Sequence, residues 1–255
     1  MGKGVSGAIM SLLGAKPTTL RVTGTEQITD RYLRIHCVGP DLVSAEHTHP
    51  ADYLRGWFPD PNNPNKQYQR GYTIRNVDLN QGTFDLDFVL HEPAGPASTW
   101  AKNCAPGDEL EATYYNTNPF VLPDPLPKGV VLFADLAGYP AVYDIADHLV
   151  STPETADLPV EIHMIRHHAT DEDMPLPDAP HLTVTWHDYV SDGTAALAAA
   201  QDTRYRGWYV WISADTRSTL KCRSAAKREL QADKEHLHAH AYWSPGKQMG
   251  TSREN

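Results

Sequence analysis

Residues 69–76 read Gln-Arg-Gly-Tyr-Thr-Ile-Arg-Asn and follow a loop rich in proline and asparagine. In an extended strand alternate side chains share a face, so Arg70 and Tyr72 would point one way and Thr73 and Arg75 the other. An arginine fork binds phosphate in a bidentate manner, a tyrosine ring offers a flat surface for a flavin or a base, and a threonine can hydrogen-bond a ring nitrogen. Taken alone, an edge strand with solvated arginines explains the segment equally well.

A second segment about twenty residues later, residues 91–101, reads His-Glu-Pro-Ala-Gly-Pro-Ala-Ser-Thr-Trp-Ala. Pro96 suits the first position of a helix, Gly95 allows close backbone approach, and Ser98 can donate near the exposed N–H groups. The start of a helix, with its free N–H groups and positive dipole end, is a ready site for pyrophosphate. Alone, this segment is also explained by a helix that simply follows a strand.

The first half of the chain has the pattern of β structure. Residues 19–22 and 32–37 are short strand-like runs, and residues 84–91 alternate apolar and polar side chains as a half-buried strand does. Glycine and proline separate these runs. We therefore predict an N-terminal antiparallel β-barrel.

The second half alternates strand and helix patterns. A compact apolar strand at residues 129–134 precedes apolar positions at helical spacing up to Leu149. Further strands are predicted at 160–165, 182–186, 208–213 and 237–243, with helices at 195–200 and 216–230. This alternation predicts a C-terminal α/β nucleotide-binding domain with a parallel sheet. The predicted domains are a barrel over residues 1–122, a stiff proline-rich linker over 123–128, and the α/β domain over 129–255.

Composition excludes several classes of protein. The 255 residues are 40% hydrophobic and 21% charged, as in ordinary globular proteins, and the net charge of -10 argues against nucleic-acid partners. No apolar run approaches the roughly 20 residues that cross a bilayer, so no membrane insertion is expected. Three scattered cysteines exclude a four-cysteine iron–sulfur cluster made by this chain alone and fit a reducing compartment. We expect a cytoplasmic protein and allow for a monomer.

Several segments together resemble a known family, the siderophore-interacting proteins, which are FAD-dependent ferric-siderophore reductases of the ferredoxin-reductase superfamily. Residues 70–75, 87–91 and 95–101 resemble the family's FAD-binding signature. Looser similarities at residues 52–59, 134–141 and 242–243 extend the resemblance nearly from end to end.

The resemblance implies a role for each matching residue. Arg70 would hold the FAD pyrophosphate, Tyr72 would pack on the flavin or ribityl chain, and Thr73 would lie near flavin N5, the atom that accepts hydride. Further FAD contacts implied in the same way are Arg75, Asp87, Val89, His91, Gly95, Ala97, Ser98 and Trp100.

The residues assigned to the electron donor, NAD(P)H, depart from the family pattern. Asp135 stands in the first strand-to-helix turn, but Leu136-Ala137 replaces the family's acidic–threonine pair, and Ala214-Asp215 replaces its glycine–glutamate. Arg166 follows the second strand, where a dinucleotide enzyme recognises a 2′-phosphate, and this would favour NADPH over NADH. A solvated strand end explains Arg166 equally well. The acidic run 171–173 is expected to face solvent.

The substrate site also departs from the family, which commonly keeps three basic residues around the flavin. Arg55 occupies the first position, Thr117 the second, and the third falls at Ser244 or Pro245, with Lys247 the nearest cation. Each lost charge removes roughly 1 kcal/mol of attraction at an exposed site. A neutral or weakly charged hydroxamate or citrate-type chelate is therefore favoured over a highly charged catecholate complex.

The sequence thus predicts an FAD-dependent NAD(P)H oxidoreductase that reduces Fe(III)-siderophore and releases Fe(II). Two alternatives stay open: a flavin or quinone reductase with another acceptor, and a flavin-containing siderophore-binding module without nicotinamide turnover. His238 and His240 share a strand face but have no matching acidic partner, so no protein-bound metal is expected.

Overall fold

The computed structural model describes residues 18–43, 49–114, 119–247 and 249–254. The chain divides into two compact units, Met1–Pro119 with Met249–Asn255 and Phe120–Gln248. The N-terminal residues 1–17, residues 44–48 with His47 and residues 115–118 with Thr117 lie outside the described residues.

The first unit is an antiparallel β-barrel. Its strands are β1 (Thr18–Thr29), β2 (Tyr32–Val38), β3 (Tyr53–Asp60), β4 (Asn63–Asp78), β5 (Thr83–Val89) and β6 (Glu109–Tyr114). They follow the order β4-β3-β6-β1-β2-β5, and a pairing of β5 with β4 closes the barrel. Helix α1 (Pro96–Asn103) connects β5 to β6. This architecture confirms the predicted barrel, in which the pairing of β4 with β5 joins the two ends of the strand order.

Alternation along the strands separates an apolar core from a polar outer face. On β5, Phe84, Leu86 and Phe88 belong to the buried apolar cluster of the barrel. Asp85 and Asp87, one position out of step, point to the opposite face of the same strand. The barrel can therefore present charged side chains on β5 without interrupting its core.

The second unit is a parallel five-stranded sheet in the order β11-β10-β7-β8-β9. Its strands are β7 (Val130–Asp135), β8 (Val160–Arg166), β9 (Leu182–Asp188), β10 (Tyr209–Ser213) and β11 (Leu237–Ala239). The helices are α2 (Tyr139–Ser151), α3 (Leu197–Ala200) and α4 (Thr216–Ala225), which continues into a π-helical turn, Ala226–Leu230. Short 3-10 turns occupy Pro40–Leu42 in the barrel, and Ala169–Asp173 and Thr203–Tyr205 here.

The chain order of this sheet creates a switch point between β7 and β10. From β7 the chain builds β8 and β9 on one side, and it then crosses to build β10 and β11 on the other. Ligands of open α/β sheets bind outside the carboxyl ends of the strands at such a point. The predicted α/β domain with a parallel sheet is confirmed.

The elements differ from the predicted ones in three places. The predicted strand 237–243 ends at Ala239, and the predicted helix 195–200 is helical only over Leu197–Ala200. The last residues, which the sequence assigned to the α/β domain, belong to the first unit, because β12 (Ser252–Glu254) pairs antiparallel with β4. No helix among the described residues is long and apolar enough to cross a membrane.

A buried histidine joins two strands of the parallel sheet to a neighbouring turn. His163 on β8 is 4% exposed, and its Nδ1 lies 3.0 Å from Nε2 of His187 on β9. Its Nε2 lies 2.9 Å from the hydroxyl of Tyr205, and its ring stacks on Phe133 at 5.0 Å. Burial, followed by the neighbouring His187, lowers the pKa of His163 to about 4.

The low pKa of His163 predicts acid sensitivity. Because the folded pKa lies below the unfolded value of about 6.5, the stabilisation is present above pH 6.5 and is lost as the pH falls through 4. Between pH 7.5 and pH 5 this group should lower the free energy of unfolding by about 2 kcal/mol. Urea denaturation at both pH values should show that the free energy of unfolding changes less with pH in His163→Gln than in the wild type. An equal change in the two proteins would contradict this assignment.

Candidate functional site

The start of helix α1 has backbone hydrogen-bond donors that no side chain caps. Gly95 precedes the helix and no side chain caps it, and the first helical bond runs from the N–H of Thr99 to the Gly95 carbonyl at 2.8 Å. The N–H groups of Ala97 and Ser98 belong to the first turn, which has no intrahelical acceptors. Ser98 is 3% exposed, and its Oγ has no hydrogen-bond partner in the structure.

A buried hydroxyl without a hydrogen-bond partner lowers stability by about 1–3 kcal/mol. A ligand that bonds to the Ser98 Oγ would remove this cost. The opening amides and the hydroxyl together offer donors at the positive end of a helix dipole. This arrangement fits the phosphate oxygens of a dinucleotide such as FAD.

Arg70 on β4 carries a positive charge that no carboxylate in the described part of the chain neutralises. Its Nη1 donates to the Gln69 carbonyl at 2.8 Å, and its guanidinium lies 5.5 Å from the centre of the Tyr68 ring. Among the described residues no acidic side chain comes within ion-pair distance of Arg70. Burial is the main cause that lowers the pKa of Arg70 below its ordinary value. A half-buried guanidinium in this state is suited to an external anion.

Tyr72 and Thr73 follow on the same strand. The Tyr72 ring packs against Phe88 at 4.2 Å and against Phe58 at 5.4 Å, and burial raises the pKa of its hydroxyl. Thr73 is 5% exposed and pairs with Tyr53 of β3. The aromatic neighbours fix the Tyr72 ring, so its orientation does not depend on a ligand.

Three residues predicted to bind FAD have contacts with other residues of the barrel unit. Arg75 Nη1 donates to Oδ2 of Asp87 at 3.0 Å, and the Asp87 side chain is fully buried. The Trp100 ring packs on Phe58 at 5.5 Å and on Phe88 at 5.9 Å. These contacts give Arg75, Asp87 and Trp100 a structural role in the barrel unit, and their assignment as FAD contacts stays a prediction.

The remaining predicted FAD contacts lie around the end of β5. Val89 is the last residue of that strand and pairs with Tyr32 of β2. His91, two residues further on, is exposed. A Cβ built on Gly95 would lie 3.9 Å from the His91 ring, so the histidine and the start of α1 adjoin each other.

Asp135 ends β7 at the switch point of the parallel sheet, and its carboxylate is fully occupied. Oδ1 accepts from the N–H groups of Ala137 and Gly138 at 2.9 and 3.3 Å. Oδ2 accepts from Trp243 Nε1 at 2.6 Å and from the N–H of Asp215 at 3.1 Å. Burial raises the pKa of Asp135 to about 6, although these hydrogen bonds oppose the rise. These hydrogen bonds hold the turn and Trp243 in place, and the role of Asp135 in binding the electron donor stays a prediction.

The neighbouring start of helix α4 contains two groups that the sequence reasoning did not single out as ligand contacts. Oδ1 of Asp215 caps the helix by accepting from the N–H groups of Arg217 and Ser218 at 2.8 and 3.3 Å. Oδ2 of Asp215 and Oγ of Ser218 are buried without hydrogen-bond partners. An aspartate just before a helical pattern is a capping signal that could have located this site. The pair fits a hydrogen-bond donor of a ligand at the sheet edge.

Arg166, predicted to meet a 2′-phosphate, is bound by two carboxylates. Its Nε donates to Oδ1 of Asp188 at 2.7 Å, and its Nη1 forms an ion pair with Glu172. Asp171 is 2% exposed and accepts from the N–H of His167 at 2.8 Å. The expectation that the run 171–173 faces solvent is therefore wrong for Asp171, which forms part of the turn after β8.

The residues predicted to attract the substrate lie in separate units. Arg55 is on β3 of the barrel, where its guanidinium lies 5.8 Å from the centre of the Tyr53 ring. Lys247 is an exposed residue of the second unit, in a tight turn with Ser244.

Comparison with known proteins identifies the family that this chain matches. A model of the siderophore-interacting FAD-binding domain matches residues 57–114, and a model of the siderophore-interacting protein family matches residues 127–246. The structure of the siderophore-interacting protein SipS from Aeromonas hydrophila is similar with a TM-score of 0.73 at 22% identity, covering 92% of this chain and 94% of that one.

Two named relatives have different lengths. The mycobactin import ATP-binding/permease protein IrtA of Mycolicibacterium smegmatis is 35% identical over 99% of this chain, which spans only 29% of IrtA. The ferric vibriobactin reductase ViuB of Vibrio cholerae is 22% identical over 91% of this chain and 90% of its own length.

Proposed function

Because this chain belongs to the siderophore-interacting protein family, we propose that it is an FAD-dependent oxidoreductase that reduces Fe(III) held in a siderophore. We propose NAD(P)H as the electron donor and the cytoplasm as the compartment. The observation that carries the proposal is the buried Ser98 hydroxyl, which has no partner at the uncapped start of α1. The half-buried charge of Arg70 in the same barrel supports it.

The cofactor supplies the redox chemistry: bound FAD can take up two electrons from a nicotinamide and release them one at a time. The chain contributes binding and orientation. Arg70 and the opening amides of α1 would hold the pyrophosphate, and the fixed ring of Tyr72 would support the flavin or ribityl chain. Thr73 would present its hydroxyl or N–H to the reacting ring nitrogen. Val89, His91 and Gly95 would line the cofactor at the end of β5.

The proposed substrate is a ferric chelate of low negative charge. Siderophores bind Fe(III) through hard oxygen ligands, and reduction to Fe(II) weakens that binding and frees the metal. Arg55 and Lys247 are the cations proposed to attract the chelate. With the uncharged Thr117 at the second basic position, a hydroxamate or citrate-type complex fits better than a highly charged catecholate complex.

Anaerobic reoxidation tests this function directly. FAD-loaded protein is photoreduced under argon and mixed with ferric hydroxamate, ferric citrate and ferric catecholate chelates, while flavin absorbance and Fe(II) trapping are recorded. We expect the hydroxamate or citrate complex to restore the oxidised flavin spectrum with one Fe(II) formed per electron. The same chelates loaded with Ga(III), which is not reduced, serve as the matched control. Failure of every ferric chelate to reoxidise the flavin would refute the iron assignment.

A second candidate is a reductase for another acceptor, such as a free flavin or a quinone. The loss of charge at Thr117 favours it, because the basic surface that attracts an anionic chelate is weaker here. Reoxidation by a quinone without reoxidation by any ferric chelate would select this candidate. Flavin that neither NADH nor NADPH bleaches would instead indicate a siderophore-binding module.

A further inference from the structure

The carboxyl ends of β8 and β9 form a small charged cluster in the second unit. Arg166 and Asp188, the last residues of these strands, are register partners. Glu172 reaches the same guanidinium from the 3-10 turn Ala169–Asp173. We call Arg166, Glu172 and Asp188 the Arg166 clamp. In nucleotide-binding sheets, the side chain that follows the second strand meets the 2′ position of the adenosine ribose.

The clamp has two anions for one cation. Asp188 accepts from Nε of Arg166 at 2.7 Å and Glu172 pairs with Nη1, so two of the three guanidinium nitrogens are bound by carboxylates. The hydrogen bond to Asp188 is the largest of the causes that raise the pKa of Arg166, and the same bond lowers the pKa of Asp188. The arginine therefore no longer presents a free positive charge to a phosphate.

The position of Glu172 is fixed by its buried neighbour. Asp171 Oδ2 accepts from the N–H groups of His167 and His168 at 2.8 and 3.1 Å, which ties the turn to the end of β8. His167 in turn stacks on Tyr189, the residue after Asp188, at 4.0 Å and 25°. The clamp thus adjoins a fixed aromatic pair, a flat surface that suits a base of a dinucleotide.

We infer that the Arg166 clamp makes this protein select NADH over NADPH, an inference that rests on the nicotinamide donor of the proposed function. The 2′-phosphate of NADPH carries close to two negative charges and would meet two carboxylates around one arginine. The 2′-hydroxyl of NADH can instead donate a hydrogen bond to one of these carboxylates. This inference is the opposite of the NADPH preference that the sequence suggested when Arg166 was considered without its partners.

The rate of flavin reduction measures this selection. Stopped-flow mixing of the FAD-loaded protein under argon should show NADH reducing the flavin at least about tenfold faster than NADPH at equal low concentration. The double variant Glu172→Gln/Asp188→Asn, which frees the guanidinium, should lower the NADH-to-NADPH rate ratio by about tenfold or more. Asp173→Asn is the matched control, since it removes a carboxylate of the same turn that has no contact with Arg166 among the described residues.

Calorimetric titration with adenosine fragments supplies a readout without flavin turnover. Wild-type protein should bind 5′-AMP more tightly than 2′,5′-ADP, and the double variant should reverse or abolish that order. A wild type that prefers NADPH, or a rate ratio unchanged in the double variant, would overturn the clamp while leaving the donor assignment intact. Flavin unbleached by both nucleotides would refute the donor assignment, and the clamp's selectivity with it.

Discussion

Replacing Arg70 by alanine should leave the barrel folded and weaken FAD binding by about 100-fold. Each hydrogen bond from an arginine to a charged phosphate contributes about 1.5–3 kcal/mol, and a guanidinium fork makes two. Within the described ranges Arg70 gives one hydrogen bond, to the Gln69 carbonyl, so its removal costs the barrel little. The flavin content after desalting and the FAD dissociation constant from flavin fluorescence measure the effect.

Two further variants separate the phosphate contact from a general loss of charge. Arg70→Lys keeps the positive charge without the fork, so its affinity for FAD should lie between those of the wild type and Arg70→Ala. Arg21→Ala removes an exposed arginine from β1 of the same barrel and should retain full flavin stoichiometry. Full retention of FAD by Arg70→Ala would contradict the role given to this residue.

Local sequence pattern was enough to predict both domains. The alternation of Phe84, Leu86 and Phe88 with aspartates on β5 has the two-residue period of a strand with one apolar and one polar face. The unbroken apolar run before Asp135 on β7 has the pattern of a strand buried on both sides, as in a parallel sheet. Each pattern depends on neighbouring residues only, so a single sequence is enough to recognise it.

The structural features that could not be predicted from the sequence depend on contacts between residues far apart in the chain. Arg166 meets Asp188 22 residues further along the chain, and this partner changes its meaning from a phosphate ligand to a neutralised charge. Arg34 meets Asp87 across 53 residues. The pairing of β12 with β4 likewise brings Ser252 to Tyr68, a residue far from it in the sequence. Nothing in the local pattern around these residues specifies which partner the fold will bring to them.

The start of α1 combines a feature that local sequence predicts with one that depends on tertiary packing. Pro96 and Gly95 are local signals, and they correctly marked where the helix begins. That the Ser98 hydroxyl is buried and lacks a partner follows only from the packing of the helix on the barrel. An anion site could be predicted there from the sequence. The reason why a ligand would be favourable, a buried hydroxyl without a partner, is known only from the packing.

Asp87→Asn should lower the free energy of unfolding by about 3–5 kcal/mol, the range for breaking one side of a buried ion pair. The fully buried carboxylate accepts from Arg34 at 2.8 and 3.0 Å, from Arg75 at 3.0 Å and from the Tyr32 hydroxyl at 3.3 Å. An amide cannot accept at both of its positions, and it carries no charge to balance the two guanidiniums. Urea denaturation of FAD-free wild type and variant measures the loss.

Working with FAD-free protein separates a structural Asp87 from a cofactor-binding one. A residue that only contacts FAD would leave the stability of the FAD-free barrel unchanged, so a full-sized loss without FAD can come only from the ion-pair network. Glu92→Gln breaks the exposed pair with Lys102 in the same unit and should change the unfolding midpoint too little to resolve. Equal stabilities of FAD-free wild type and Asp87→Asn, with weaker FAD binding in the variant, would return Asp87 to the cofactor site. The structure predicts the opposite, because Asp87 on β5 accepts hydrogen bonds from Arg34 on β2 and from Arg75 on β4.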